Sequence, residues 1–182
     1  MPNSLLSPRR AVYTGSFDPI TLGHLDIIER SSRLYEQVIV GIGVNATKSP
    51  LFSVEDRLRL VKKVVCHLDN VEVEAFDGLA VDFVRNSKAC VMVRGVRPLT
   101  DIASEFTMMM ANRQLDGAIE TVFLMADEDY AHVSSTLIKQ IAALSDGSAL
   151  GKFVPQEIIE PLVEAMHRRS EGDPTVRGSA DG

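Results

Sequence analysis

Short runs of β-branched residues alternate along the chain with stretches whose apolar positions recur every three to four residues. The runs predict strands over Arg10–Tyr13, Val38–Val44, Val71–Phe76, Cys90–Val93 and Thr121–Met125. The stretches between them predict helices. His24–Tyr35 carries Leu25, Ile28 and Leu34 among charged positions. Ser53 opens a second helix, with Asp56 three residues on as a short-armed capping box and Leu58, Val61 and Val65 on the inner face. Leu79–Asn86 and Asp101–Leu115 follow, another helix starts at Ser134, and Ile158, Leu162 and Met166 after Pro155 predict a last one. Strands joined through helices imply an α/β fold, a parallel sheet covered on both faces. Ligands of such sheets sit beyond the carboxyl ends of the strands, which points to the segments Thr14–Gly23, Asn45–Phe52, Phe76–Ala80, Arg94–Asp101 and Ala126–Val133.

Composition narrows the setting. A chain of 182 residues with 45% hydrophobic content supports one well-buried core, read as a single domain over residues 1–169. Residues 170–182, rich in Gly, Ser, Asp and Pro, are expected to form a disordered tail. The formal charge of −6 argues against wholesale binding to nucleic acid or a membrane surface, so any affinity for phosphate has to be local. No apolar run approaches a membrane span and the first ten residues lack a signal-peptide core, so a cytoplasmic location is expected. Cys66 and Cys90 are too few for a disulfide framework and lack zinc-ligand spacing; buried free thiols are expected.

The segment Tyr13–His24 compresses a strand end, a glycine turn, a hydroxyl and a histidine at a helix start. Gly15 is expected to take backbone angles closed to other residues, and Gly23 to allow close approach of a ligand. Free N–H groups at the helix start favour an anion, which His24 can also reach. The same segment offers Ser16, and other strand-end segments add groups of the same kind: Lys48, Arg94, Arg97, and Ser134, Ser135 and Thr136 at the last but one helix start. Familiar nucleotide motifs are missing. No glycine loop ends in Gly-Lys-Ser or Gly-Lys-Thr, and Gly41-Ile42-Gly43-Val44-Asn45-Ala46 is followed by Lys48-Ser49-Pro50 where a dinucleotide fingerprint needs a helix. The four histidines form no metal-ligand pair.

Gly15-Ser16-Phe17-Asp18-Pro19 followed by Thr21-Leu22-Gly23-His24 resembles the signature of the HxGH nucleotidyltransferases, and Val133-Ser134-Ser135-Thr136 resembles their second motif. Lys48 within Asn45–Pro50, Asp77-Gly78-Leu79, Arg94-Gly95-Val96-Arg97 before Asp101 and Glu105, and Asn112-Arg113-Gln114-Leu115 are similar to the bacterial phosphopantetheine adenylyltransferase branch. The resemblance covers about Arg10 to Met166. It implies a Rossmann-like, doubly wound, parallel five-stranded sheet, a homohexamer, and transfer of the adenylyl group of ATP to 4′-phosphopantetheine. The products would be dephospho-CoA and pyrophosphate, the penultimate step of coenzyme A synthesis, formed without a covalent intermediate.

By the same resemblance His24 would stabilise the transition state, and Ser16, Lys48 and Arg94 would hold the attacking phosphate. The ATP site would be lined by Ser16, Phe17, His24, Gly95, Val96, Arg97, Glu105, Tyr130, Ala131, His132, Val133, Ser134, Ser135 and Thr136. The phosphopantetheine site would add Leu79, Ala80, Met108 and Asn112, with Met109 and Met110 left to packing. Mg²⁺ would arrive with ATP, held by phosphate oxygens and water rather than by protein ligands.

Some positions depart from the pattern. Ile102-Ala103-Ser104 stands where relatives read Phe-Glu-Tyr, Ala111 replaces a methionine, Thr14 a proline and His132 another aromatic, while Asp127-Glu128-Asp129 makes the approach acidic. Two alternatives accompany the reading. A sister cytidylyltransferase or nicotinamide mononucleotide adenylyltransferase shares the first motif, but Asp127–Val133 has no arginine of the kind that precedes the second motif in cytidylyltransferases. A non-catalytic nucleotide-binding regulator would require loss of His24, Lys48 or Arg94, and all three are present.

Overall fold

The computed structural model describes residues 6–44, 49–97, 102–145 and 147–170, and within them every predicted strand forms. The strands are β1 (Ser7–Gly15), β2 (Gln37–Gly43), β3 (Val71–Phe76), β4 (Ala89–Val96) and β5 (Glu120–Met125). The helices are α1 (Leu22–Leu34), α2 (Val54–Val64), α3 (Ala80–Asn86), α4 (Ile102–Leu115), α5 (Ser135–Leu144) and α6 (Gln156–Ser170). All four strand pairings are parallel, and the order is β3-β2-β1-β4-β5. The chain therefore winds outward from β1 in one direction and then, through β4, in the other. That reversal leaves a crevice between the carboxyl ends of β1 and β4.

Alternation along each strand divides the core between the two faces. Tyr13, Val40, Ile42, Val91 and Val93 pack under Ile27 and Ile28 of α1, Leu60, Val61 and Val64 of α2, Ile138 of α5 and Ile158 and Leu162 of α6. Val12, Ile39 and Met92 face the other way, against Val81, Phe83 and Val84 of α3. Each such fully buried side chain contributes roughly 1.5–3 kcal/mol relative to exposure. On this second face α4 is held only loosely: none of its residues is buried.

Gly41 shows how tightly the second layer sits. A Cβ there would lie 2.5 Å from the Phe83 ring, which stacks on Phe76 at 4.5 Å between centroids. Gly41 thus serves close strand–helix packing.

Several predicted details differ. Strand β4 runs on through Arg94, Gly95 and Val96, so these residues are sheet rather than loop. Ser53 does cap α2, accepting from the Asp56 amide, but the Asp56 carboxylate takes the Ser53 hydroxyl and an Arg59 guanidinium instead of closing a reciprocal box. The two cysteines are free, yet Cys66 is exposed and Cys90 half-buried, because Cys66 falls just past the end of α2. Helix α6 continues through Ser170, the first residue of the predicted tail; the rest of the tail lies outside the described residues. No helix among the described residues is long and apolar enough to cross a membrane.

Candidate active site

A cavity of about 330 Å³ opens at the crevice between β1 and β4. Its wall is built from Thr14, Gly15 and Ser16 at the end of β1, Thr21, Gly23, His24 and Ile27 on α1, and Arg94, Gly95 and Arg97 at the end of β4. Glu105 of α4, Ala126 and Tyr130 after β5, and Val133–Thr136 at the start of α5 complete it. The sheet topology thus gathers residues more than a hundred positions apart.

The turn after β1 has an unexpected conformation. Gly15 does not occupy the left-handed region; Phe17 does, at φ 47°. Gly15 is needed for space, since a Cβ there would come within 3.0 Å of the Phe17 ring. The Phe17 side chain, 1% exposed, turns away from the cavity into the core, where it meets Tyr13 and His24 edge-on at 5.4 and 5.1 Å. It braces the histidine and is absent from the cavity wall.

His24 is the third residue of α1 and completes a capping box with Thr21. Thr21 Oγ1 accepts from the His24 amide at 3.2 Å, and His24 Nδ1 accepts from the Thr21 amide at 3.1 Å. An imidazole nitrogen that accepts carries no proton, so the neutral ring holds its hydrogen on Nε2, the atom left for the cavity. Burial, and then the positive charges of Arg97 and Arg94, push the His24 pKa down to about 4. The histidine is therefore a neutral N–H donor flanked by two permanent cations.

Arg94 is held by Glu105 and Thr14. Its Nε and Nη2 donate to both carboxylate oxygens of Glu105 at 2.7 and 2.6 Å, and Nη1 donates to the Thr14 carbonyl at 2.7 Å. This bidentate geometry fixes the guanidinium plane at the crevice. Beneath it Tyr13 is buried, which raises its phenol pKa and keeps it neutral. Arg97 donates to the Val133 carbonyl at 3.3 Å, reaching across to the approach of α5.

The hydroxyls at α5 are partly committed. Ser134 caps the helix by accepting from the Leu137 amide at 3.1 Å, and Ser135 Oγ donates to the Pro19 carbonyl at 3.0 Å. The first amides of α5, at Ser135 and Thr136, have no acceptor within the helix and face an anion naturally. Among the acidic trio, Asp127 has a structural task, capping the 3-10 turn Glu128–Tyr130.

A smaller cavity of about 60 Å³ adjoins the first and shares Thr14, Arg94 and Glu105 with it. Ala80, Met92, Met108, Met109, Asn112 and Thr121 form the rest of its wall. Of the residues predicted for the pantetheine arm, Ala80, Met108 and Asn112 meet there; Leu79 stays outside both cavities, half exposed as the residue before α3. Met109, assigned to packing, joins this wall.

Of the predicted nucleotide residues, Ser16, His24, Gly95, Arg97, Glu105, Tyr130, Val133, Ser134, Ser135 and Thr136 converge on the larger cavity. Val96, Ala131 and His132 do not line it: Val96 is buried, and His132 packs against Phe153 at the surface. Lys48 lies outside the described residues. The described residues contain no group of three or more His, Cys, Asp and Glu able to hold a metal ion, and Glu105 is already engaged by Arg94.

A cytidylyltransferase-like family model matches residues 12–141. A phosphopantetheine adenylyltransferase from Rhodopirellula baltica is 67% identical over 158 residues, 86% of this chain and 88% of that protein. The chain belongs to the phosphopantetheine adenylyltransferase family. It is a nucleotidyltransferase. A second phosphopantetheine adenylyltransferase, from Clostridium perfringens, is 46% identical over 90% of this chain and 99% of its own length. The fold is shared more widely: Plasmodium falciparum nicotinic acid mononucleotide adenylyltransferase superposes with a TM-score of 0.62 at 13% identity, over 88% of this chain and 95% of that one. At that identity the likeness speaks for the fold alone.

Three charged residues near this cavity are given no role by the sequence motifs. Arg57, 4% exposed, donates to the Ser16 carbonyl at 2.9 Å; its spacing with Leu60, Val61 and Val64 puts it on the buried stripe of α2, a signal that was available. Asp18 lies inside the quoted motif, and its partner Lys139, 121 residues away, has no local signature.

The His24 tautomer and its depressed pKa predict a specific titration. Nitrogen-edited NMR of the imidazole should show a neutral ring protonated on Nε2 throughout pH 5.5–8, with protonation only near pH 4. Because this value lies below the ordinary 6.5, the folded protein binds fewer protons than the unfolded chain in that window, and stability should fall as pH drops from about 6.5 toward 4. A midpoint near 6.5, or a proton on Nδ1, contradicts the geometry.

Proposed function

We propose that the chain transfers the adenylyl group of ATP directly to 4′-phosphopantetheine, giving dephospho-CoA and pyrophosphate in coenzyme A synthesis. An oxygen of the acceptor phosphate forms a bond to the α-phosphorus as the bond from that phosphorus to the bridging oxygen breaks. Pyrophosphate leaves with the electron pair. The acceptor oxygen is ionised near neutral pH, so what remains for the protein is alignment of two anions and stabilisation of charge on the transferring group. The observation that carries the reading is the composition of the cavity wall: the neutral His24 N–H, Arg97, Arg94 and the free amides of α5 converge on one space.

In this assignment His24 Nε2–H donates to the α-phosphate, and Ser16, Lys48 and Arg94 hold the acceptor phosphate. The nucleotide lies along Gly95, Arg97, Glu105 and the Tyr130–Thr136 segment, while the pantetheine arm runs toward Ala80, Met108 and Asn112. Arg94 and Glu105 stand between the two cavities and so contact both substrates. The donor set fits a Mg²⁺ that enters on the ATP phosphates, completed by water, since Glu105, the acidic residue among the described cavity lining, is bonded to Arg94. Such an ion would neutralise phosphate charge. A cytoplasmic setting goes with these substrates.

Pyrophosphate release tests the reading. ATP with 4′-phosphopantetheine should turn over, while CTP in place of ATP, or nicotinamide mononucleotide in place of the acceptor, should give at most a small fraction of that rate. No turnover with the first pair would defeat it.

The homohexamer implied by the family resemblance is part of the same proposal. Its support is α4, where Ile102, Phe106, Met108, Met110 and Leu115 are each 44–57% exposed. Apolar surface of this extent on one helix calls for a partner. Light scattering should give about six times the 19.9 kDa chain mass; a monomer mass would remove the proposal.

A further inference from the structure

The turn that carries Ser16 is held from two sides by buried charge. On one side Arg57 Nη1 donates to the Ser16 carbonyl at 2.9 Å and to the Gly43 carbonyl at 3.4 Å, tying the ends of β1 and β2 to α2. On the other, the Asp18 carboxylate accepts from the Leu51 and Phe52 amides, both at 2.9 Å, and from Lys139 Nζ at 2.6 Å. Asp18 is 6% exposed and Arg57 4%. Between them Phe17 sits at φ 47°, a conformation that bulky residues avoid unless their surroundings impose it.

These bonds link the two halves of the site. Lys139 lies one turn beyond Ser135, and Ser135 Oγ also bonds the Pro19 carbonyl, so α5 is tied twice to the turn after β1. Ser16 stands on the acceptor side and the first amides of α5 on the nucleotide side. Their separation is therefore set by Arg57, Asp18 and Lys139 together. A surface ion pair has no such consequence; here one partner is buried and also satisfies two backbone amides of a third segment.

We propose that Arg57, Asp18 and Lys139 are positioning residues for adenylyl transfer, clamping the Ser16 turn so that acceptor phosphate and nucleotide meet in line. This rests on the adenylyl-transfer reading above. None of the three touches substrate; they act through Ser16 and the start of α5. Their loss should therefore lower turnover more than substrate binding.

The test uses the full chain with Arg57→Met, Asp18→Asn and Lys139→Met, together with Arg57→Lys as the conservative variant. Each of the first three should lower kcat about 10–100-fold, the cost of a misplacement of the order of an ångström. The KM for ATP should stay within about threefold. Arg57→Lys should recover part of the loss, since an ammonium keeps one carbonyl bond. In a Ser16→Ala background Arg57→Met should cost clearly less than in the wild type, because the two act as a unit. Amide hydrogen exchange gives a reading independent of activity: Leu51 and Phe52 should exchange faster in Asp18→Asn and Lys139→Met while the strands keep their protection. Additive losses with Ser16→Ala overturn the proposal, as does unchanged exchange at Leu51 and Phe52, or loss of strand protection in step with activity. Absence of turnover in the wild type would count against the adenylyl-transfer reading, and the exchange experiment would still decide whether the clamp exists.

Discussion

In a parallel sheet that winds in both directions from β1, the segments leaving β1 and β4 must part to opposite faces, and no backbone can fill the gap between them. Everything at the site follows from that vacancy. Segment 16–21 turns toward α1, while the segment after β4 leads to α4 on the other face, so Thr14 and Arg94 face each other across the crevice at hydrogen-bond distance. Helix α5, arriving after β5, points its free amides into the same opening. The crevice is thus rimmed by donors before any side chain is considered, and side chains then select which anion is held where.

Electrostatics sharpen this selection. The chain as a whole carries −6, so attraction for an anion has to be local, and among the described residues of the cavity wall Arg94, Arg97 and the helix N-termini supply it. Glu105 offsets Arg94 and aligns it, a compromise that favours orientation over raw charge. His24 adds direction without charge. Held neutral by burial and by its cationic neighbours, and held in orientation by the Thr21 amide, it offers one N–H along a fixed line. A donor set before the reaction requires no rearrangement as negative charge develops, which is the condition under which such groups are most effective.

Much of this was legible in the residues, and the exceptions have physical causes. Val71–Phe76 was predicted at its observed bounds because β-branched residues alternate there with turn signals at both ends. Strand β4 outran its prediction, since Arg94 and Gly95 look like loop residues until Glu105 and Thr14 are seen to satisfy the guanidinium. Gly15, Ser16, Thr21, Gly23 and His24 of the motif do line the larger cavity, but the positive φ expected at Gly15 falls on Phe17, whose ring fills the space that the glycine leaves. Arg57 reads as one more charge in a charged helix, and only its position on the apolar stripe marks it as interior. The pairing of Asp18 with Lys139 has no sequence signal, because it depends on how α5 returns to β1 after the rest of the sheet is complete.

His24→Ala isolates the role proposed for the one pre-aligned N–H of His24 in the transition state. Single-turnover rates and calorimetric ATP affinity, measured on the same preparation, separate chemistry from binding. The single-turnover rate should fall about 10²–10³-fold, as for loss of one preorganised donor, with ATP affinity within about threefold of the wild type. A near-normal rate, or a rate that falls only in proportion to ATP affinity, would contradict it.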